Sequence, residues 1–155
     1  MNQGERLQLL QRYKNGSALL RQALDQLPPE MWKYKPGPNK WSVHEIVIHL
    51  SDSEVQSHVR CRMILAEPGP TIMNHEAYEW SVALNYLRRD LEEALGIIVL
   101  VRSANFNLLQ AVLASSWQNY CIHSVRGRTT LNDWLQTYVN HIPQHIAQMQ
   151  RNYEE

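Results

Sequence analysis

The stretch Thr130-Leu-Asn-Asp-Trp-Leu-Gln-Thr-Tyr-Val-Asn-His-Ile-Pro-Gln-His-Ile-Ala-Gln-Met149 decides the fold that we predict for this chain. Its apolar and aromatic residues recur at steps of three and four, which is typical of a helix with one face directed at a core. His141 and His145 lie at the edge of that face, so both imidazoles project to the same side, one turn apart. Such a pair can hold one metal ion, or it can pack at the edge of a core.

The same stretch carries signals for its start and for a bend. Thr130, followed three residues later by Asp133, predicts the N-terminal cap of the helix. Pro143 lacks the N–H that would bond the carbonyl of Val139, so it predicts a kink or a restart. Because the apolar spacing continues beyond Pro143, we predict a bent but continuous helix.

Three further helices are predicted upstream, over residues 5–27, 41–66 and 81–102, from the same recurrence of apolar residues. Four long amphipathic helices with short connections predict an all-α four-helix bundle. The sequence has no repeat, no low-complexity tract and no long linker, so residues 1–155 are expected to form a single domain.

Residues 105–128 have a mixed pattern that predicts no long helix. Residues 108–113 fit a short helix, and residues 117–125 alternate as an extended segment does. Residues 126–128 predict a turn that leads into the last helix.

The second helix has a well-marked beginning. Ser42 and Glu45 have the spacing of a capping box, which starts the helix at about Val43. Trp41 and Ile46 can pack together across that start as a hydrophobic staple.

Of the histidines in and after this helix, one is expected to face the core. His44 and His49 are five residues apart and diverge by about 140° on a helix, which argues against a zincin motif. The apolar neighbours of His49 favour it as the inward residue. His44, His58 and His75 are not expected to face the seam that His49 shares with the last helix.

Composition excludes several classes of function. Lys+Arg and Asp+Glu both number 15, which argues against a broad electrostatic grip on nucleic acid or on anionic lipid. The chain has no apolar run of membrane-spanning length and no signal-peptide pattern at its start. Cys61 and Cys121 are far apart in sequence, so reduced thiols and a cytoplasmic location are expected.

Two segments together resemble the DinB/YfiT-like family of metal-dependent proteins. The first is Trp41-Ser-Val-His-Glu-Ile-Val-Ile-His-Leu-Ser-Asp-Ser-Glu54, with a Trp-Ser cap and a histidine followed by leucine. The second is the stretch 130–149, with its H-x-x-x-H and a following glutamine. The resemblance implies a four-helix bundle of unusual crossing topology, often a homodimer, with a metal triad that falls on His49, His141 and His145.

This resemblance also implies a chemistry. The family includes S-transferases that use bacillithiol, mycothiol or glutathione, and isomerases of the maleylpyruvate type. Three imidazoles leave a tetrahedral ion one open position, and such sites suit zinc, nickel, cobalt or iron, of which zinc or nickel is expected here. We therefore expect an enzyme that activates thiol or water against a small-molecule substrate: an S-transferase with a low-molecular-weight thiol as co-substrate, or a related hydrolase. The alternative is a non-catalytic helical dimer that binds metal or uses the histidines structurally.

A few other residues are weaker candidates for the site. Glu45 could orient His49, although its capping role already accounts for it. Arg60 and Arg126 could bind an anionic substrate or a thiol carboxylate, or could be surface arginines. Cys121 or His123 could supply a fourth ligand, whereas Cys61 is expected to be a buried helix residue. The five tryptophans, several at predicted helix ends, favour a dimer surface.

Overall fold

The computed structural model describes residues 1–154, and Glu155, the last residue of the predicted domain, lies outside them. The helices of this part are α1 (Gln3–Asp25), α2 (Val43–Ala66), α3 (Ala77–Ala83), α4 (Leu91–Gln110) and α5 (Leu131–Arg151). Short 3₁₀ helices lie at Pro29–Met31, Tyr86–Arg88 and Ala114–Gln118. Helices α1, α2, α4 and α5 form a four-helix bundle, which confirms the predicted fold class.

The order of the helices around the bundle differs from a simple up-and-down arrangement. Helix α2 packs mainly against α4 and α5, and α1 packs against the same two helices. The consecutive helices α1 and α2 therefore lie diagonally opposite each other. This arrangement places the first half of α2 against the second half of α5, where Asn152 Nδ2 donates to the Trp41 carbonyl at 2.8 Å.

Capping residues fix where the long helices begin. The predicted capping box at Ser42 and the predicted cap at Thr130 are both present: the side chain of Ser42 accepts from the backbone of Glu45, and that of Thr130 accepts from the backbone of Asp133. Each cap contributes about 1 kcal/mol to the stability of its helix. Helix α5 runs without interruption through Pro143, so the predicted continuity is confirmed.

A buried polar network separates two apolar clusters in the core. One cluster includes Leu109 and Leu135, and the other includes Leu50 and Ile142. Between them, the guanidinium of Arg102 donates to Glu54, to the Tyr13 carbonyl and to the Tyr138 carbonyl. Arg102 is 1% exposed and Glu54 is fully buried, so the network is shielded from solvent. Its members come from all four long helices.

The predicted third helix over residues 81–102 is wrong. Helix α3 ends at Ala83, and Asn85 adopts a left-handed conformation with φ of 51°. Asparagine tolerates this conformation better than most residues, which allows the chain to turn there. The side chain of Asp90 then accepts from the backbone N–H of Glu93 at 2.7 Å and starts α4, which runs to Gln110.

Residues 105–128 also differ from the prediction. There is no separate helix over 108–113, because α4 continues to Gln110. The extended segment is confirmed in part as strand β2 (Tyr120–His123), which pairs antiparallel with β3 (Gly127–Thr130). A two-residue strand β1 (Thr71–Ile72) pairs parallel with β2 and completes a small sheet on the side of the bundle.

The helices of residues 1–154 show no membrane-spanning character. None of them combines the length and the apolar composition that crossing a bilayer requires.

Candidate metal centre

Three histidines converge in the seam between α2 and α5. His49 comes from α2, and His141 and His145 come from α5. One ring nitrogen of each lies within 4.8 Å of the other two. His141 Nε2 and His145 Nε2 are 3.1 Å apart, and the ring centroid of His49 lies 5.4 Å and 4.9 Å from theirs. The structure thus brings together the three residues that the sequence singles out.

Local structure explains why the three rings meet. The capping box at Ser42 sets the phase of α2, so that His49 faces α5. On α5, the four-residue spacing keeps His141 and His145 on one side because Pro143 does not break the helix. The tie between Asn152 and the Trp41 carbonyl holds the ends of the two helices together beside the rings.

The seam keeps the imidazoles neutral. Burial, with smaller contributions from the neighbouring histidines, lowers the pKa of His49 to about 3 and that of His141 to about 2. Burial also lowers the pKa of His145, although its hydrogen bond to Gln148 acts in the opposite direction. Neutral imidazole is the form that binds metal ions, so the three rings are in the ligand state at neutral pH.

Hydrogen bonding also fixes one tautomer. His145 Nδ1 lies 2.8 Å from Gln148 Oε1, so the proton is on Nδ1 and the lone pair of Nε2 points into the cluster. His49 Nδ1 and His141 Nδ1 are buried without any hydrogen-bond partner within the described chain. The nitrogens placed to bind one ion on α5 are the Nε2 atoms of His141 and His145, which face each other at 3.1 Å.

Three other residues, His44, His58 and Cys61, lie outside the cluster, as the sequence predicts. His44 Nε2 lies 2.9 Å from the carbonyl of Arg89 and takes no part in the cluster. His58 lies farther along α2 beside Arg62 and Asn105. Cys61 is buried, and burial raises the pKa of its thiol to about 11.

The prediction that His75 lies away from the seam is wrong. Its ring stacks 6.4 Å from that of His49 and 5.0 Å from that of Trp80. The loop after α2 returns to this position because the Met73 carbonyl accepts from Arg60 and the Asn74 N–H is held by Ser124. These contacts are between distant segments, so no spacing in the sequence announces them.

Two of the weaker candidates are also excluded by the contacts. The carboxylate of Glu45 accepts from Ser42 and pairs with Lys35, so it does not orient His49. Within residues 1–154, Cys121 and His123 are not among the nitrogen and sulfur atoms that converge on the triad.

A surface cavity of about 460 Å³ lies near the C-terminal end of α5, and none of the three histidines lines it. Trp41 and Gln148 line it and also touch the cluster, because the Trp41 ring is 4.7 Å from the His49 ring and Gln148 holds His145. On the other side of the cluster, the ring of Tyr138 lies 6.1 Å from that of His141. Aromatic rings therefore flank the cluster, and Trp41 and Gln148 lie between it and a space of small-molecule size.

The fold and the cluster define a class: a four-helix bundle with a candidate three-histidine metal centre between two of its helices. Within that class, residues 12–149 match the model of the DinB superfamily, and the chain belongs to this superfamily. The family that the two sequence segments resemble is thereby confirmed.

Individual relatives agree with this assignment. YfiT from Bacillus subtilis, provisionally named a metal-dependent hydrolase, is 25% identical over 131 residues, which are 84% of this chain and 74% of YfiT. A relative from Oceanobacillus iheyensis with the same type of name is 22% identical over 107 residues, 69% of this chain but only 62% of that protein. The solved structure of B. subtilis YfiT matches this chain with a TM-score of 0.91 at 22% identity, over 99% of this chain and 89% of YfiT. That structure is described as having an unusual four-helix bundle topology.

Proposed function

We propose that this chain is a metal-dependent enzyme in which His49, His141 and His145 hold one divalent ion against a small-molecule substrate. One observation carries the proposal: three neutral imidazoles, with ring nitrogens within 4.8 Å of one another, meet in a buried seam. The donor set suits zinc or nickel and leaves a tetrahedral ion one open position. Such a set is typical of a catalytic site rather than a structural one.

The open position supports attack by water or by a thiol. A divalent ion held by three imidazoles lowers the pKa of either group and makes it nucleophilic near neutral pH. Water would make the chain a hydrolase, as the names of its relatives suggest. An external thiol such as bacillithiol, mycothiol or glutathione would make it an S-transferase.

In the thiol reaction, the nucleophile would be a co-substrate rather than a cysteine of this chain. Cys61 and Cys121 are both buried, and burial raises the pKa of each thiol above its ordinary value. Protonated, buried thiols are poor nucleophiles. Both cysteines are free, which supports a reducing, cytoplasmic location as part of the proposal.

The chain's own residues position the site. Gln148 holds the tautomer of His145, and the Trp41 ring packs against His49. In this proposal a substrate occupies the cavity of about 460 Å³ that these two residues line, and approaches the cluster past them. His75 lies next to His49 in the cluster's surroundings.

Metal content tests the proposal directly. The protein is purified without an affinity tag, and metal per chain is measured for the wild type and for His49→Ala, His141→Ala and His145→Ala. We expect about one ion per chain in the wild type and a loss in each variant, because two imidazoles rarely hold a divalent ion tightly. His44→Ala and His58→Ala are the matched controls, since these histidines lie outside the cluster.

The outcome also separates an enzyme from a non-catalytic module. Full occupancy in all three triad variants, or a loss in His44→Ala, would refute the metal site. Metal binding without turnover of generic esters or of a thiol–electrophile pair would favour the non-catalytic dimer.

A further inference from the structure

A second, smaller cavity lies beside the metal centre, between α2, α5 and the β2–β3 hairpin. Its volume is about 20 Å³, room for about one water-sized group. Arg60 and Arg126 line it, together with His123, Trp134 and Tyr138, and its lining contains no aspartate or glutamate. Ile64, Ile72 and Cys121 also line the cavity, so its wall combines apolar surface with N–H donors and positive charge, and its lining offers no acidic group to balance that charge.

The ring of His123 presents an unused donor. Its Nδ1 accepts from the backbone N–H groups of Val125 and Arg126, at 3.2 Å and 3.3 Å. Burial and the two arginines lower the pKa of this ring, so it is neutral and its single proton must be on Nε2. His123 is 6% exposed, and its Nε2 has no partner within the described chain. A buried, unpaired N–H therefore lines the cavity.

Trp134 adds a second donor of the same kind. Its side chain is 3% exposed, and its indole Nε1 is buried with no hydrogen-bond partner in residues 1–154. An unpaired buried donor is destabilising relative to one that is hydrogen-bonded. Two such donors around one cavity are stabilised together by a ligand that offers acceptor oxygens.

Neither arginine is neutralised by an acid in the described part of the chain. Arg60 donates to the Tyr138 hydroxyl, to Gln56 and to the Met73 carbonyl, all of which are neutral acceptors. Arg126 donates to the Thr137 hydroxyl at 3.3 Å. Guanidinium groups bind carboxylates more strongly than neutral oxygens, so both remain available to an anionic ligand.

Tyr138 connects this cavity to the metal centre. Its hydroxyl accepts from Arg60 at the cavity, and its ring lies 6.1 Å from the ring of His141. Tyr138, which is 6% exposed, therefore lies between the cavity and the histidine cluster and touches both.

We propose that this cavity is a subsite for a carboxylate, bound by Arg60 and Arg126 and by the unpaired N–H groups of His123 and Trp134. The link between the subsite and chemistry rests on the proposed function, but the binding itself depends only on these residues. The carboxylate would belong to the electrophilic substrate or to the thiol co-substrate.

Binding is tested on metal-free protein, so that an ion cannot supply the carboxylate affinity. The chelator is removed by desalting, and succinate is titrated calorimetrically in a buffer without carboxylates. Succinamide, its uncharged analogue, is the comparison ligand. We expect saturable binding of one succinate per chain and none of succinamide. Equal behaviour of the two compounds, or no binding of either, would overturn the subsite.

Two arginines of the β2–β3 hairpin, Arg126 in its turn and Arg128 in β3, give a matched pair of variants. Arg126→Gln removes a cavity arginine and should weaken succinate binding about tenfold or more. Arg128→Gln is the control, because that guanidinium lies over the ring of Tyr120 at 4.3 Å rather than in the cavity. His123→Asn keeps an acceptor for the hairpin turn but removes the Nε2 donor, and it should also weaken binding. Equal affinity in Arg126→Gln and Arg128→Gln would contradict the assignment.

The design separates this inference from the proposed function. His145→Ala should lose metal and keep succinate binding, so a failed metal site leaves the subsite intact. Normal metal content with no succinate binding would refute the subsite alone. Competition then assigns the source: displacement of succinate by glutathione but not by its diethyl ester indicates the thiol, and no displacement by glutathione indicates the electrophile.

Discussion

Gln148 determines which nitrogen of His145 is available to a metal. Its side-chain oxygen accepts from His145 Nδ1 at 2.8 Å, which leaves the Nε2 lone pair directed at the cluster. Such an acceptor fixes the tautomer and the ring orientation of a ligand. Gln148 also lines the cavity of about 460 Å³, so it can contact both His145 and a molecule bound in that cavity.

We expect Gln148→Ala to weaken metal affinity about 10–100-fold, because the freed ring of His145 can rotate and change tautomer. Affinity is measured by competition with a chromophoric chelator. Gln144→Ala, an exposed glutamine one turn earlier on α5, is the control and should leave affinity unchanged. If both variants bind metal as the wild type does, Gln148 has no positioning role.

At the scale of the elements, the close approach of α1 and α4 depends on a glycine. A side-chain carbon at Gly16 would collide with the guanidinium of Arg102, which is held by Glu54 and by the Tyr13 carbonyl. That collision would displace a buried charge from its partners. By contrast, a side-chain carbon at Gly96, inside α4, would meet no atom within 4 Å.

The two glycines should therefore respond to the same substitution with opposite signs. Gly16→Ala should lower the free energy of unfolding by about 2–4 kcal/mol through overpacking and disruption of the ion pair. Gly96→Ala should raise it by about 0.5–1 kcal/mol, because alanine favours a helix interior. Urea denaturation of both variants provides the measurement, and a shift of the same sign in both would show that Gly16 is not restricted by Arg102.

The elements differ in how far the sequence determined them. Helix α5 and the start of α2 were predictable because a cap and an apolar face coincide at each. The break between α3 and α4 was not, because Leu84, Leu87 and Leu91 keep helical spacing across a left-handed Asn85. Local periodicity records which residues face a core, and it cannot detect a turn that preserves that phase.

The two sites differ in the same way. The triad was predictable because two of its members lie on one helix at a four-residue spacing, and the family resemblance supplied His49. The position of His75 and the cavity around His123 depend on contacts between the sheet, the loop after α2 and α5. Those contacts join residues far apart in sequence, so only the folded chain brings them together.

At the scale of the whole molecule, the fold should not depend on the metal. Two apolar clusters fill the bundle on either side of the Arg102 network, and neither is built from the triad. We expect protein stripped by a chelator to keep its helical circular-dichroism signal at pH 7. Loss of that signal would identify a structural metal site, in which binding and folding are one event.

The stability of the metal-free protein should fall as the pH decreases. His49 and His141 have folded-state pKa values of about 3 and about 2, whereas unfolded histidine titrates near pH 6.5. The unfolded chain therefore binds protons first, and each such group removes up to about 1.4 kcal/mol per pH unit below pH 6.5. Urea midpoints between pH 7 and pH 4 measure the slope, which should be smaller in His141→Gln. An identical slope in that variant would contradict the buried, neutral state of His141.

A homodimer stays a prediction for this chain. Only Trp80 among the five tryptophans is exposed, so tryptophan does not supply the expected surface. Exposed apolar side chains on α4, including Val99 and Leu100, are 51% and 71% exposed and would supply it instead. Sedimentation velocity at micromolar concentration should show a species twice the mass of the 18.1 kDa chain. A single 18.1 kDa species would exclude the dimer.

The guanidinium of Arg102 reaches backbone or carboxylate oxygens on α1, α2 and α5 from its place on α4. Four apolar helices of similar length can pack with several handednesses and registers that bury similar amounts of apolar surface. Hydrophobic burial alone therefore discriminates poorly between the native packing and these alternative packings. In an alternative packing, Arg102 would lose its hydrogen-bond acceptors or its ion pair with Glu54. A buried charge without a partner strongly destabilises the fold that contains it. The network thus favours one packing arrangement of the four helices, and this is the arrangement that brings the three histidines together.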